Sequence, residues 1–295
     1  MPEPTSIPVR FTTAPVSLYR RAVNLAMTSA AGLAVVLVLL PLGAIFAYLV
    51  YKGVGALNWD FLTQIPKPPG EPGGGMANAI AGTGLILLIA SCMGVPIGIG
   101  AGIYLAEYGR DRFGDLIRFT ADVLNGVPSI VVGIVAYSIV VLTQGHFSAL
   151  AGGVALAIMM IPTITRATEE MLLLVPNAVR EAAYGLGVPR WRTTLSITLR
   201  TATSGVITGV MLAFARVAGE TAPLLFTAFG NQYWNWKLNQ PTAALSLQVY
   251  NYAISPFDEW HKQAWAGALI LIVLIVVAIS AVRIAASRGM LKGAS

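Results

Sequence analysis

Six apolar stretches, most of them about as long as a bilayer is thick, constrain this chain more than any other feature. A roughly 30 Å hydrocarbon core takes about 20 helical residues to cross. Runs near that length occupy residues 25–51, 77–105, 120–142, 149–165, 205–228 and 264–282. The second is long and the fourth short. The first exceeds the 7–15 apolar residues of a signal peptide, and no small-x-small cleavage site follows before Tyr51, so it reads as a retained helix.

Composition agrees. Charged residues make up only 11% of the chain and hydrophobic ones 56%, against about 25% charged in an ordinary soluble domain. Too few charges are available to cover a globular surface in water. The apolar content also excludes disorder, and no Gly-X-Y period points to collagen. The reading is an all-α integral membrane protein with six transmembrane helices.

A net charge of +6 would suggest nucleic acid in a soluble protein. In a membrane protein it points instead to cytoplasmic loops, which accumulate Lys and Arg. The segments containing Arg10, Arg20, Arg110, Arg118, Arg180, Arg190 and Arg283 hold 14 Lys or Arg on one side. Lys52, Lys67, Lys237 and Lys262 are the 4 on the other, and Arg216 falls within a span. That asymmetry places both termini in the cytoplasm. Trp59, Trp234, Trp236, Trp260 and Trp265 cluster on the outer side, as interfacial anchors or a docking surface for an external partner.

Gly94, Gly98 and Gly102 recur every four residues and predict one close-packed helix face, with Gly205 and Gly209 beginning the same pattern later. Pro41, Pro96, Pro128, Pro162 and Pro223 fall within or near spans, where proline kinks helices. The single cysteine, Cys92, permits no intrachain disulfide and reads as a packing residue.

Enzyme chemistry has little to work with. His146 and His261 are far apart, no HExxH or Cys/His cluster is present, and no GxxxxGK[ST] loop exists. The glycine run 73–75 lacks a following Lys. Two features stand out instead. Arg216 and Glu220 lie four residues apart inside an apolar run, and the i,i+4 spacing puts them on one helix face. Ionised groups there are expensive and should face the protein interior or a wet cavity. They read either as a static ion pair or as an arginine poised to bind a tetrahedral oxyanion. The second feature lies between the fourth and fifth spans: Glu181-Ala182-Ala183-Tyr184-Gly185-Leu186-Gly187, then Ile197 and Leu199. The spacing predicts a helix of two to three turns, stopped by Gly187 in the left-handed conformation with Pro189 beyond. It looks built to dock.

These residues resemble the EAA loop of binding-protein-dependent ABC importer permeases, with Arg200 where most members carry Pro. Trp59-Asp60-Phe61-Leu62, residues 66–75, 127–133 and 215–228 resemble the PstA-type branch of phosphate-specific permeases, over roughly residues 52–285. The resemblance implies a type I ABC importer permease fold in a bacterial inner membrane. It divides the chain into a cytoplasmic segment 1–24, a first helix and periplasmic loop 25–75, a transmembrane domain 76–285 with its coupling loop at 166–204, and a tail 286–295. It implies three kinds of partner: a sister permease (PstC-like), an ATPase dimer (PstB-like) and a periplasmic phosphate-binding protein (PstS-like). No cofactor is implied for this chain, ATP and Mg being used by the ATPase. By the same resemblance Glu181, Ala182, Ala183 and Gly187 couple to the ATPase. Arg216 and Glu220 line the substrate path, and Arg166 either joins them or anchors the fourth helix at the cytoplasmic face. Two rival readings are a permease for another oxyanion, such as sulfate or molybdate, and a secondary transporter or channel.

Overall fold

The structure, a computed structural model, describes residues 17–68, 71 and 73–292. Arg10 and the ends of the two expected terminal segments lie outside the described residues. Among the described residues the regular elements are all helices, joined by turns and irregular loops, with one isolated bridge between Phe229 and Thr242. In order the helices are α1 (Leu18–Val54), α2 (Trp59–Thr63), α3 (Ala77–Glu107), α4 (Arg112–Gly126), α5 (Ser129–Gln144) and α6 (Ala149–Leu173). Then follow α7 (Asn177–Gly185), α8 (Arg190–Ala218), α9 (Ala222–Leu225), α10 (Leu245–Ala253) and α11 (Asp258–Lys292). Helices α5 and α8 each include one π-helical turn, at Tyr137–Val141 and Thr194–Thr198.

Five of these, α1, α3, α6, α8 and α11, are long and apolar enough to cross a membrane, and α4 with α5 forms a sharply bent sixth candidate. The chain divides into two units, residues 1–49 and 50–295. In the first, α1 exposes apolar side chains on every side, Leu37 and Val38 among them, as a helix solvated by lipid should.

The second unit is organised on α6. The glycine ridge expected from sequence is the seam between α3 and α6. A Cβ on Gly98 would stand 2.7 Å from Ile164 Cβ, and one on Gly102 would stand 2.5 Å from Thr168 Cβ. Only glycine lets the two backbones approach so closely. Gly205 and Gly209 repeat the device on the other flank of α6, facing Met171 and Ala167. Ile86, Ala90, Leu156, Met160, Ile164, Val217 and Leu224 fill the core between them.

Four expectations are corrected. The third apolar run is not one straight span. It breaks at Val127-Pro128, and the chain bends by 108° from α4 to α5. Val127 is extended and Pro128 caps α5, so the missing proline N–H falls at a helix start, where it costs nothing. The fifth helix starts at Arg190 and stops at Ala218, so residues 219–228 leave it. Pro96 and Pro162, by contrast, sit inside unbroken helices. The fourth helix does not end at Thr165 but runs on to Leu173. Cys92 is exposed on α3 rather than packed.

Candidate functional site

The short helix foreseen between the fourth and fifth spans is α7, nine residues long. Val188 N donates to Ala183 O at 3.1 Å and Gly187 N to Tyr184 O at 2.9 Å, while Gly187 has φ of +76°. This paired closure needs a left-handed residue at position 187, and glycine takes it without a Cβ clash. Of the predicted coupling residues, Ala183 is buried against the bundle whereas Glu181, Ala182 and Gly187 are exposed. Leu186, Leu174 and Trp191 flank them as exposed apolar knobs. A helix with one buried face and an outward rim of this composition offers a ready docking surface.

Sequence reading missed how α7 is held. Arg180 donates to Glu107 Oε1 through Nε at 3.1 Å and Nη2 at 2.9 Å. It also donates to the carbonyls of Val175 at 2.6 Å and Leu172 at 2.8 Å, which close the end of α6. Arg190 Nη2 adds a bond to the Glu107 carbonyl at 3.2 Å. One guanidinium therefore joins the ends of α3, α6 and α7. Beside it opens a cleft of about 530 Å³ whose lining includes Glu107, Arg110, Glu181, Tyr184 and Arg190.

A second charged cluster bridges α4 and α6. Buried Glu169 accepts from Arg118 Nε at 2.6 Å and from Arg166 Nη1 at 2.6 Å. Asp115 and Asp122 complete the row from the α4 side, each 3.1 Å from its arginine. Arg166, named from sequence as a path or anchor residue, is thus half-buried between two carboxylates, one turn before Glu169 on a helix that continues past both.

Arg216 and Glu220 do not share a helical face. The helix stops at Ala218, Gly219 caps it, and Glu220 lies on the turn leading to α9. Among the described residues no hydrogen bond or ion pair joins the two side chains, and the Arg216 side chain makes none; at Glu220, Ser246 Oγ donates to the backbone carbonyl at 2.8 Å. Arg216 is exposed on this chain and Glu220 half-buried. The static pair is therefore not formed. The Arg216 cation instead occupies the last turn of α8, where unpaired carbonyls favour positive charge.

At the other end of the unit, a pocket of about 270 Å³ has Asn231, Gln232, Gln248, Asn251, Tyr252 and Trp260 among its lining. Tyr252 and Trp260 stack at 4.4 Å. Among the described residues no group of His, Cys, Asp or Glu is arranged to hold a metal.

A bundle of apolar spans, one of them broken, with a short amphipathic helix exposed between two of them, defines a multi-span helical membrane protein. The fold matches the inward-facing MetNI methionine ABC transporter at a TM-score of 0.55, over 74% of this chain and 96% of that one, with 17% identity. Residues 94–288 match the family model of binding-protein-dependent transport system inner membrane components. The chain is 49% identical to the phosphate transport system permease protein PstA of Yersinia pestis, over 77% of this chain and 78% of that one. It is 45% identical to the PstA of Haemophilus influenzae, over 88% and 92%. The PstA 1 of Mycobacterium tuberculosis H37Rv is 35% identical over 93% and 92%. The chain belongs to the binding-protein-dependent inner membrane permeases, within their PstA branch.

Proposed function

We propose that this chain is a permease subunit of an ATP-driven inorganic phosphate importer, sharing a translocation path with a PstC-like sister permease. A PstB-like ATPase dimer would drive the pair between inward- and outward-facing states, and a PstS-like periplasmic protein would deliver phosphate. The observation that carries the substrate is the 35–49% identity, over three quarters of the chain or more, to relatives that are all named phosphate permeases. The arginine-rich end, which bears α7, faces the cytoplasm with both termini. That orientation is supported by the asymmetry of Lys and Arg between the two sets of loops.

In this reading α7 is the coupling helix, with Glu181, Ala182, Ala183 and Gly187 forming the ATPase-facing element. Arg216 and Glu220 belong to the path. An arginine left without a carboxylate, on a face that the single chain does not cover, suits an anion better than a structural pair would. Arg166 borders the path as a member of the Glu169 cluster.

The test is phosphate uptake into proteoliposomes that hold the assembled four-component system, with and without ATP. Uptake that requires ATP, the ATPase and the receptor supports the proposal. Net uptake by the permease without the ATPase would favour a secondary transporter, and preferential uptake of sulfate or molybdate would favour the other oxyanion.

A further inference from the structure

We infer that Arg180 and Glu107 form a latch that transmits movement of α7 to α3 and α6, making both positioning residues for transport. The inference rests on the coupling reading of α7 and adds the route by which displacement leaves that helix. Two kinds of contact fasten α7 to the bundle. One is apolar, with Val179 packed on the cluster of Ala106, Leu172, Val175, Ala202 and Val206. Apolar contact is non-directional, and a helix can slide or roll on it at little cost. The other is the Arg180 guanidinium, which spends four hydrogen bonds on three acceptors: Glu107 Oε1 and the carbonyls of Leu172 and Val175. Both charged side chains are largely buried, 13% exposed for Arg180 and 7% for Glu107.

A planar guanidinium bonded on several sides fixes direction as well as distance. The acceptors lie at the ends of two different spans, and these are the spans joined along the glycine seam. A push on α7 therefore reaches α3 and α6 together, as one body. Without the latch, α7 keeps its own closure at Gly187 and its apolar footing, but a push is absorbed where it arrives. Lysine cannot replace the fork, because an ammonium is a point donor that cannot hold the same planar geometry toward carboxylate and carbonyls at once.

The experiment measures phosphate imported per ATP hydrolysed by the reconstituted complex, for Arg180→Gln, Glu107→Gln, the double variant, Arg180→Lys and Val179→Ala. A latch predicts at least a tenfold fall in that ratio for either Gln variant, with the ATPase still bound. The double variant should be no worse than the singles, because one interaction can be lost only once. Arg180→Lys should recover part of the ratio, and Val179→Ala should keep it within twofold. Spin labels on α7 and α3 of the assembled Arg180→Gln complex should give a broadened distance distribution. An unchanged ratio in Arg180→Gln, losses that multiply in the double variant, or an equal loss in Val179→Ala would each overturn the latch. So would failure of the single variants to bind the ATPase, since the pair would then serve docking. Gly187→Val separates this from the coupling reading itself: if it uncouples transport while Arg180→Gln does not, α7 couples and the latch alone is wrong.

Discussion

Glu169 and Arg166 stand one turn apart on α6 with carboxylate and guanidinium 2.6 Å apart, and Glu169 reaches Arg118 on α4 at the same distance. A carboxylate only 3% exposed is thereby shared by two arginines from different helices. It ties α4, the first half of the broken span, to the centre of the unit, and it engages a guanidinium that sequence alone places in the path or at the membrane surface.

Losing Glu169 should therefore cost far more than losing Asp115. Removing one member of a buried pair typically costs about 3–5 kcal/mol. The two arginines are partly exposed, so we expect about 2–3 kcal/mol for Glu169→Ala. Asp115 is 77% exposed, and Asp115→Ala should cost at most about 1 kcal/mol. Thermal unfolding of the detergent-solubilised complex checks the order, and equal shifts in the two variants would contradict it.

The α3–α6 seam predicts opposite outcomes for two neighbouring glycines. A Cβ at Gly102 would meet Thr168 Cβ at 2.5 Å, whereas one at Gly100 would meet nothing within 4 Å. Gly102→Val should separate the helices and lose about 1–3 kcal/mol or more through overpacking. Gly100→Ala should be neutral or stabilising by up to about 1 kcal/mol, since it removes glycine from a helix interior. The yield and melting temperature of the purified complex report both.

Gly187→Val tests the closure of α7. A β-branched residue held at φ of +76° pays about 1–2 kcal/mol, and nothing nearby offsets it. The spans should still insert while ATP hydrolysis stops responding to receptor-bound phosphate. Normal stimulation in this variant would count against a docking role for the helix.

Orientation is checked with single cysteines in a Cys92→Ala background. Ser196 and Asn239 are both exposed and lie on opposite sides in the proposed topology. An impermeant thiol reagent added outside intact cells should label Asn239→Cys and spare Ser196→Cys. The reverse pattern would invert the topology.

Much of this was legible in the sequence, because lipid simplifies the code. Apolar length announces spans, glycine at every fourth position announces a seam, and a glycine between a short helix and Pro189 announces a left-handed stop. The helix breaks were less legible. Pro96 and Pro162 look no different from Pro128 and Pro223 in an apolar run, yet only the latter pair stand at helix starts. In both of those cases a glycine, Gly126 or Gly219, ends the preceding helix. Spacing alone therefore put Arg216 and Glu220 on one face when a break divides them. The two charged clusters were not legible at all. Arg118 with Glu169 and Arg180 with Glu107 join residues 51 and 73 positions apart. Counting basic residues by loop treats each of those arginines as an anchor.

The most direct test of the phosphate path is Arg216→Gln in the complete complex. No carboxylate pairs with Arg216 among the described residues, so the substitution leaves no orphaned partner, and failure to assemble is not the expected result. A charge-assisted hydrogen bond to the anion is worth about 1.5–3 kcal/mol. ATP-dependent uptake of radiolabelled phosphate should therefore fall at least about tenfold, while the ATPase stays bound and α7 remains protected. Uptake within twofold of the parent, in a complex that assembles normally, would contradict a path through Arg216.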